Sequence, residues 1–299
     1  MRVFVTGGTS FIGGHVVPKL VADGHQVTIL ARDPGKIPGY AGLAGVSIVA
    51  GSLADDDVIF EALAGHDALV HLALGHGGTA RERVVSDTVT TVNLFQSAAE
   101  QGLRHIVHTS TVGVYEHRPG RYGDSDPARP THVYGATKAA GESYAFAIAD
   151  SYGIRANVIR PGYTFGAPET DGAPIQSMPE LPEIVRAVAA GTPVELVRNA
   201  GLQFIWAGDL ARVYAAVLSS SEPNRRTFTA LSPAFITWET VARWAIDELG
   251  SPSELSVADE GIREAALTFD VSEIEREFGF AFDAEPKLRE HLRYLATAL

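Results

Sequence analysis

The chain has 299 residues, of which 45% are hydrophobic and 20% charged, so it is long enough for one large α/β domain or two unequal lobes. Its formal net charge of −12 argues against a nucleic-acid backbone or an anionic membrane surface as the main partner. Because the sequence has no cysteine, disulfides, thiolate catalysis and cysteine-ligated metal sites are excluded.

The first half alternates short β-branched runs with longer helical patterns. Strands are predicted at residues 2–5, 26–31, 46–49, 68–72, 105–109 and 156–160, and helices at 11–22, 88–101 and 133–151. Strands that alternate with helices predict an α/β fold, in which a parallel sheet has helices on both faces.

The pattern changes after Gly162. Residues 166–182 are rich in Pro, Gly, Asp and Glu, which is typical of a long loop and often of a functional lid. Helical patterns follow at residues 183–190, 209–219, 238–249, 271–278 and 287–296. We predict a dinucleotide-binding domain at residues 1–165 and a smaller substrate-binding lobe at 166–299, with a segment at about 200–220 returning to the larger domain.

A glycine-rich motif follows the first strand and opens the first helix, which is the context that a dinucleotide-binding turn needs. Gly7 allows the tight turn, the small Ser10 lets the pyrophosphate approach the backbone, and Gly13 lets the helix pack on the strand. The helix N-terminus then offers free N–H groups and a positive dipole end to the phosphates. The predicted phosphate-binding residues are Gly7, Thr9, Ser10, Phe11, Ile12 and Gly13.

The end of the second strand indicates the type of dinucleotide. An acidic residue there would accept hydrogen bonds from the ribose 2′-hydroxyl of NAD. Here the strand ends in Ala31-Arg32, and a guanidinium suits the 2′-phosphate of NADP, although Asp33 follows directly. We therefore predict NADP, with NAD as the less favoured cofactor.

Tyr134 and Lys138 lie four residues apart in a predicted helix, on one face. A nearby ammonium, together with an oxidised nicotinamide, would lower the pKa of the phenol and make it a usable acid or base. This pair is the candidate catalytic centre, with Tyr134 as the proton donor.

Taken together, motifs along most of the chain resemble those of the extended short-chain dehydrogenase/reductase family, in its NAD(P)-dependent epimerase/dehydratase branch. The matching segments are residues 6–13, 51–53, 70–73, 93–99, 108–115, 134–138, 160–162, 204–211 and 278–280. The resemblance implies a Rossmann-type doubly wound sheet with a smaller C-terminal substrate-binding lobe.

The resemblance also implies residue roles. Tyr134 would be the proton donor or acceptor, Lys138 would hold the nicotinamide ribose, and Thr111 would hydrogen-bond the substrate oxygen. The other implied cofactor contacts are Thr109 beside the nicotinamide ribose, Leu72 and Ala73 along the cleft, Ser52 and Leu53 at the adenine, and Pro161 and Gly162 against the nicotinamide.

Several positions depart from the family pattern. Ser52 replaces the acid usual at the adenine, and Asp87 stands where an asparagine is common. Gly162 is followed by Tyr163, where nucleotide-sugar enzymes usually carry an asparagine. Thr111 is followed by Val112, where family dehydratases place an acid–base pair, so dehydration is disfavoured.

Three functions remain open. The first is an NADP(H)-dependent oxidoreductase that transfers hydride to or from a small carbonyl or alcohol substrate. The second is a sugar-nucleotide epimerase with tightly held NAD. The third is a non-catalytic, NADP-binding regulatory protein, although such relatives usually lose the Tyr–Lys pair. The family resemblance further implies a homodimer in which small residues of the Tyr134 helix permit close approach.

Other features predict absences. The start of the chain leads into a strand and a glycine-rich turn, which is not typical of a signal peptide, and no apolar run reaches transmembrane length. We therefore expect a cytoplasmic protein. The ten histidines lack the paired helical spacing of a zinc hydrolase, so no metal site is predicted. His76, just past a cofactor-lining strand, is the histidine of most interest.

Overall fold

The computed structural model describes residues 1–75, 77–175, 178–222, 224–261 and 267–299. His76 therefore lies outside the described residues, as do residues 176–177 of the predicted loop. No helix in the described ranges is both long and apolar enough to cross a membrane.

The strands of the described ranges follow one another in this order: β1 (Arg2–Thr6), β2 (Gln26–Ala31), β3 (Val46–Ala50), β4 (Ala68–His71), β5 (His105–Thr109), β6 (Gly120–Tyr122), β7 (Arg155–Pro161), β8 (Tyr163–Phe165), β9 (Val194–Val197), β10 (Gly201–Trp206), β11 (Arg226–Ala230), β12 (Phe235–Thr237), β13 (Leu255–Ala258) and β14 (Leu267–Phe269). The helices are α1 (Gly13–Ala22), α2 (Asp56–Leu63), α3 (Ala80–Arg83), α4 (Thr90–Glu100), α5 (Val133–Tyr152), α6 (Glu180–Ala189), α7 (Ala207–Ser219), α8 (Trp238–Leu249), α9 (Ser272–Phe278) and α10 (Glu285–Ala298). A π-helical turn at Val84–Val89 joins α3 to α4.

A seven-stranded parallel sheet in the order β11-β7-β5-β4-β1-β2-β3 forms the centre of the molecule. The alternating side chains of β1 show why both faces are covered. Val3 and Val5 pack into one core with α1 and α7, whereas Phe4 packs into a second core with α2, α4 and α5. The Rossmann-type α/β fold predicted from the sequence is confirmed.

Chain order reverses between β1 and β4, so the loops after these two strands separate at the carboxyl edge of the sheet. In open parallel sheets, ligands bind in the crevice at this position. The turn after β1 and the segment after β4 both lie at this position.

Smaller sheets accompany the large one, in the orders β12-β10-β8, β13-β9 and β14-β6. Helices α6, α8 and α10 pack with β8 and β10 around a third apolar core. Within the segment at about 200–220, α7 packs on the large sheet, whereas β10 pairs with β8 and β12. Strand β11, later in the chain, is the edge strand of the large sheet beside β7.

Candidate active site

The turn between β1 and α1 is shaped by glycine. Gly7 has φ of +71°, and a Cβ there would lie 2.6 Å from the backbone nitrogen of Ala73. A Cβ at Gly13 would lie 2.4 Å from the carbonyl oxygen of Gly7. The turn therefore packs directly against the end of β4, and only glycine allows both contacts.

Free amides at this turn fit a dinucleotide pyrophosphate. Ser10 Oγ accepts a hydrogen bond from the Gly13 amide at 3.1 Å, and the Ser10 amide donates to Gly7 O at 3.0 Å. The amides of Phe11 and Ile12 donate to no atom of the described residues. They lie at the positive end of α1, so a phosphate would find both donors and a favourable dipole there.

Tyr40 supports the turn from below, a role that no sequence pattern indicated. Its buried hydroxyl donates to Gly8 O at 2.8 Å and lies 3.0 Å from Gly13 O. The predicted loop at residues 166–182 also contributes here. Thr170 Oγ1 donates to Gly14 O at 2.6 Å, and Glu169 contacts His15 at 3.0 Å.

The residues predicted for the adenosine side follow adjacent strands. Arg32 is exposed directly after β2, and Ser52 and Leu53 are half-buried after β3. The side chains of Asp33 and Ser52 form local hydrogen bonds. Asp33 Oδ1 accepts from the Gly35 amide at 3.1 Å, and Ser52 Oγ accepts from the Ala54 amide at 3.3 Å.

Lys138 reaches from α5 to the end of β4. Its buried Nζ donates to Ala73 O at 3.3 Å and lies 3.5 Å from Asp87 Oδ1, which also accepts from the Gly75 amide at 3.0 Å. Burial raises the pKa of Asp87, but Lys138 and the Gly75 amide more than offset this, so the pKa lies below its usual value. Burial lowers the pKa of Lys138, and Asp87 opposes that change. Asp87 lies in the π-helical turn, a distortion often found at functional sites.

The remaining predicted nicotinamide-side residues lie along the same edge. Thr109 is buried at the end of β5, where its Oγ1 lies 2.7 Å from Tyr214 Oη. Leu72 is buried directly after β4. Pro161 ends β7, and a Cβ on Gly162 would lie 2.4 Å from Leu231 Cδ2, so this part of the edge is also tightly packed.

Tyr134 is half-buried near the start of α5, and the Thr111 side chain is near enough to favour its phenolate. Burial raises the pKa of Tyr134, the Thr111 side chain partly offsets the rise, and Asp87 adds to it. Without a dinucleotide, the pKa of Tyr134 is therefore raised, because Lys138 faces Asp87 and Tyr134 is desolvated; the lowering predicted for Lys138 together with an oxidised nicotinamide stays a prediction. The ring of His132, which sequence reasoning did not identify, stacks on Tyr134 with centroids 6.0 Å apart. His132 Nδ1 also accepts from the Gly135 amide and caps α5, a position that could have revealed it.

A buried ion pair holds the Thr111 segment against β7. Arg160 donates to both carboxylate oxygens of Glu142, at 2.8 and 2.6 Å, and Ser110 Oγ donates to Glu142 Oε1 at 2.5 Å. Arg160 Nη1 also donates to Tyr115 Oη at 2.8 Å. Sequence reasoning gave neither member of the Arg160–Glu142 pair a role.

A cavity of about 320 Å³ is lined by Val112, the residue that directly follows Thr111 of the predicted catalytic set. Its lining residues come from six parts of the chain: Val112, Gly162, Tyr163, Asn199, Ala200, Gly201, Leu202, Gln203, Leu231, Phe235, Trp238, Leu267 and Phe269. None of the described residues of the 166–182 loop lines it. We call this candidate substrate site the substrate cavity below.

Within the described ranges, no group of three or more His, Asp or Glu side chains could hold a metal ion. His71 is buried between Thr6 and Thr91, at 2.6 and 3.0 Å, and burial lowers its pKa to about 3. His108 stacks on it with ring centroids 5.5 Å apart.

Residues 3–229 match the family model described as the NAD dependent epimerase/dehydratase family. The chain belongs to that family. The extended short-chain dehydrogenase/reductase resemblance seen in the sequence is thereby confirmed.

Two curated relatives in this group match part of the chain. A dTDP-glucose 4,6-dehydratase of Streptomyces niveus is 32% identical over 183 residues, covering 56% of this chain and 54% of the relative. A 4-hydroxy-2-methyl-3-oxo-4-farnesyl-3,4-dihydroquinoline-1-oxide ketoreductase of Stigmatella aurantiaca is 30% identical over 192 residues, covering 62% of this chain and 55% of the relative. The matched region thus spans about half the length of these relatives.

The similarity to solved epimerase/dehydratase structures extends along the whole chain. The UDP-glucose 4-epimerase of Thermus thermophilus, in complex with NAD, has a TM-score of 0.78 at 22% identity and covers 100% of both chains. At this identity the likeness supports the fold.

Proposed function

We propose that the chain catalyses nicotinamide-dependent hydride transfer at an alcohol or carbonyl carbon, with Tyr134 as the acid–base group. The observation that carries the proposal is that the buried Lys138–Asp87 pair lies beside the glycine turn, where Lys138 donates to Ala73 O, with Tyr134 one helical turn before Lys138 on α5. A non-catalytic regulatory protein would have no need of this arrangement.

When bound, the dinucleotide supplies or accepts the hydride. In the reductive direction Tyr134 gives its phenolic proton to the carbonyl oxygen as the new C–H bond forms, and in the oxidative direction the phenolate takes that proton back. Thr111, which the family resemblance places at the substrate oxygen, would hold the same oxygen. Lys138 would hold the nicotinamide ribose and, with Asp87, sets the local charge.

A sugar nucleotide is a second candidate substrate, and the names of the relatives favour it over the small carbonyl compound that the sequence predicted first. The relatives named above include a sugar-nucleotide dehydratase and a UDP-sugar epimerase, although one is a ketoreductase. Dehydration has no support, because Val112 and Gly113 follow Thr111 and neither side chain can act as acid or base. An epimerase remains the sugar-nucleotide activity to test.

For the cofactor, two arguments point in different directions. NAD is the dinucleotide named with the solved epimerase, which favours NAD. Arg32 is exposed after β2 and has no ion-pair partner in the described ranges, which favours the 2′-phosphate of NADP. We propose NAD as the cofactor that the family relationship favours, with NADP as the alternative.

The proposal is tested by single-turnover hydride transfer in both directions. Deuterated reduced cofactor is mixed with a panel of ketones, and oxidised cofactor is mixed with UDP-sugars as candidate epimerisation substrates. Tyr134→Phe keeps the ring and is expected to lower the rate by about 10²–10⁴-fold. Tyr144→Phe is the matched control, because Tyr144 lies exposed on the same helix and should keep the parental rate. Equal rates in the parent and Tyr134→Phe would refute the assigned chemistry.

A further inference from the structure

The substrate cavity has an uncharged lining. None of the described residues that line it is Arg, Lys, His, Asp or Glu. Most of the wall is aliphatic or aromatic, including Leu202, Phe235 and Phe269. Phosphate groups in proteins are usually held by Arg or Lys, or by helix N-termini, because each supplies positive charge with its hydrogen bonds.

Gln203, one of its polar lining residues, is fully used by the protein. Its Oε1 accepts from the Phe269 amide at 2.6 Å, and its Nε2 lies 3.2 Å from the carbonyl oxygens of Ser232, Pro233 and Phe269. The side chain thus fixes β14 as a wall of the cavity and offers little to a ligand. Tyr163 is also engaged, since its hydroxyl accepts from the Met178 amide at 2.6 Å.

A negative charge acts on one residue of this wall, Tyr163. Burial raises the pKa of Tyr163 to about 12, the Met178 hydrogen bond opposes the rise, and the Glu180 carboxylate adds to it. Glu180 Oε2 is buried without a hydrogen-bond partner in the described ranges. Glu180 and Glu183 both lie in the first turn of α6, so this helix start repels an anion.

A neighbouring cavity of about 330 Å³ shares Gln203, Leu231 and Phe269 with the substrate cavity. The Arg121 guanidinium, which lines this neighbouring cavity, lies 3.5 Å from Asp270 and is therefore already paired. Neither cavity offers an unpaired cation to a diphosphate in the described ranges.

Resting on the proposed function, we propose that the reacting alcohol or ketone is an uncharged, largely apolar ring compound that occupies the substrate cavity, rather than a sugar linked to a nucleoside diphosphate. A volume of about 320 Å³ is at the small end of the range for ligand sites, about 300–1,000 Å³, which suits one or two rings. Phe235, Trp238 and Phe269 offer aromatic surfaces for edge or face contacts with such rings.

The test uses the full chain saturated with NAD and measures calorimetric binding of a tetralone, an uncharged bicyclic ketone, and of UDP-glucose. The tetralone is expected to bind at least about tenfold more tightly. Leu202→Arg places a cation in the half-buried wall and should weaken tetralone binding about tenfold or more, while Leu202→Met should stay within about threefold. Leu299→Arg, the same change at an exposed terminal residue, should have no effect.

If Leu202→Arg does not fold, Phe235→Ser is measured instead with the same expected loss. The proposal is overturned if UDP-glucose binds as tightly as the tetralone, if neither compound binds, or if the wall variants leave tetralone affinity unchanged. UDP-glucose turnover that depends on Tyr134 would overturn this proposal and leave the proposed function intact. Tetralone binding that depends on Leu202, with no Tyr134-dependent hydride transfer to any ketone, would support this occupant and refute the proposed function.

Discussion

Removing the charge of Asp87 should measurably destabilise the protein, because Lys138 would remain buried without its carboxylate. Both residues are only 3% exposed, and Asp87 Oδ1 lies 3.5 Å from Lys138 Nζ. Asp87→Asn keeps an oxygen for the Gly75 amide and removes only the charge. At an effective dielectric constant of about 20, the lost attraction is about 5 kcal/mol, and breaking buried pairs from one side costs about 3–5 kcal/mol.

That free energy converts into a shift of the melting temperature. An unfolding entropy of about 2.1 cal/mol/K per residue is about 0.63 kcal/mol/K for 299 residues. A loss of about 3–5 kcal/mol therefore lowers Tm by about 5–8 °C. Differential scanning calorimetry at pH 7 is the measurement, with Asp150→Asn as the matched control. Asp150 also pairs with an arginine, Arg225, but at the surface, where such pairs contribute about 0–1 kcal/mol.

A second variant separates the charge from packing. Asp87→Asn/Lys138→Met has no buried charge at this site, so it should recover a large part of the stability lost by Asp87→Asn alone. The loss of stability caused by Asp87→Asn should also shrink as pH rises toward 10. The pKa of Lys138, already lowered by burial, falls further without Asp87, and a folded state that holds neutral lysine is favoured as pH rises. Equal Tm shifts in Asp87→Asn and Asp150→Asn would contradict the reasoning.

Three further predictions concern the cofactor, the phenol and the assembly. Arg32→Ala should weaken NADP binding by about ten- to a hundredfold and change NAD affinity by less than about threefold, because only NADP carries the 2′-phosphate. Both affinities are measured by titration, and equal effects on the two would rule out a contact between Arg32 and the 2′-phosphate. Ultraviolet absorbance of the parent and of Tyr134→Phe is titrated with pH in the absence of cofactor. The difference between the two should show Tyr134 ionising above pH 10, because burial raises its pKa, and a transition below pH 9 would contradict this. The chain should sediment as a symmetric dimer, since Val85 (60% exposed) of the π-helical turn and Tyr144 (45% exposed) of α5 present apolar surface, and α5 also carries the small residues Ser143 and Ala147. Val85→Glu should give monomer, and a monomeric parent at micromolar concentration would refute the interface.

Secondary structure was largely predictable where its signals are local. The limits of β2, β5 and α8 agree with the predicted ranges. Helix α2 was missed although Asp55 caps it and Ile59 and Leu63 lie one turn apart on its buried face. The edge strand β11 was also missed, because its five residues become a strand only by pairing with β7, about seventy residues earlier.

The glycine turn was predictable for the same reason that local structure was. Gly7 and Gly13 are required by backbone geometry within one strand–turn–helix unit, which the sequence displays directly. The electrostatics of Tyr134 were not predictable, because they depend on contacts across the fold. Asp87, 51 residues away in the sequence, pairs with the ammonium of Lys138, while burial raises the pKa of the Tyr134 phenol.

The substrate cavity is the part of the site that sequence patterns could least describe, and its construction explains why. Val112, Leu202, Leu231 and Phe269 meet there from four separated segments, and each is an ordinary apolar residue in its own neighbourhood. Family motifs record the glycine turn and the Tyr134–Lys138 pair, which any nicotinamide-dependent member needs for the same chemistry. We expect substrate preference instead to follow from the summed charge and shape of this wall. A single cation introduced at Leu202 therefore tests substrate class more directly than any change among the residues that handle the proton.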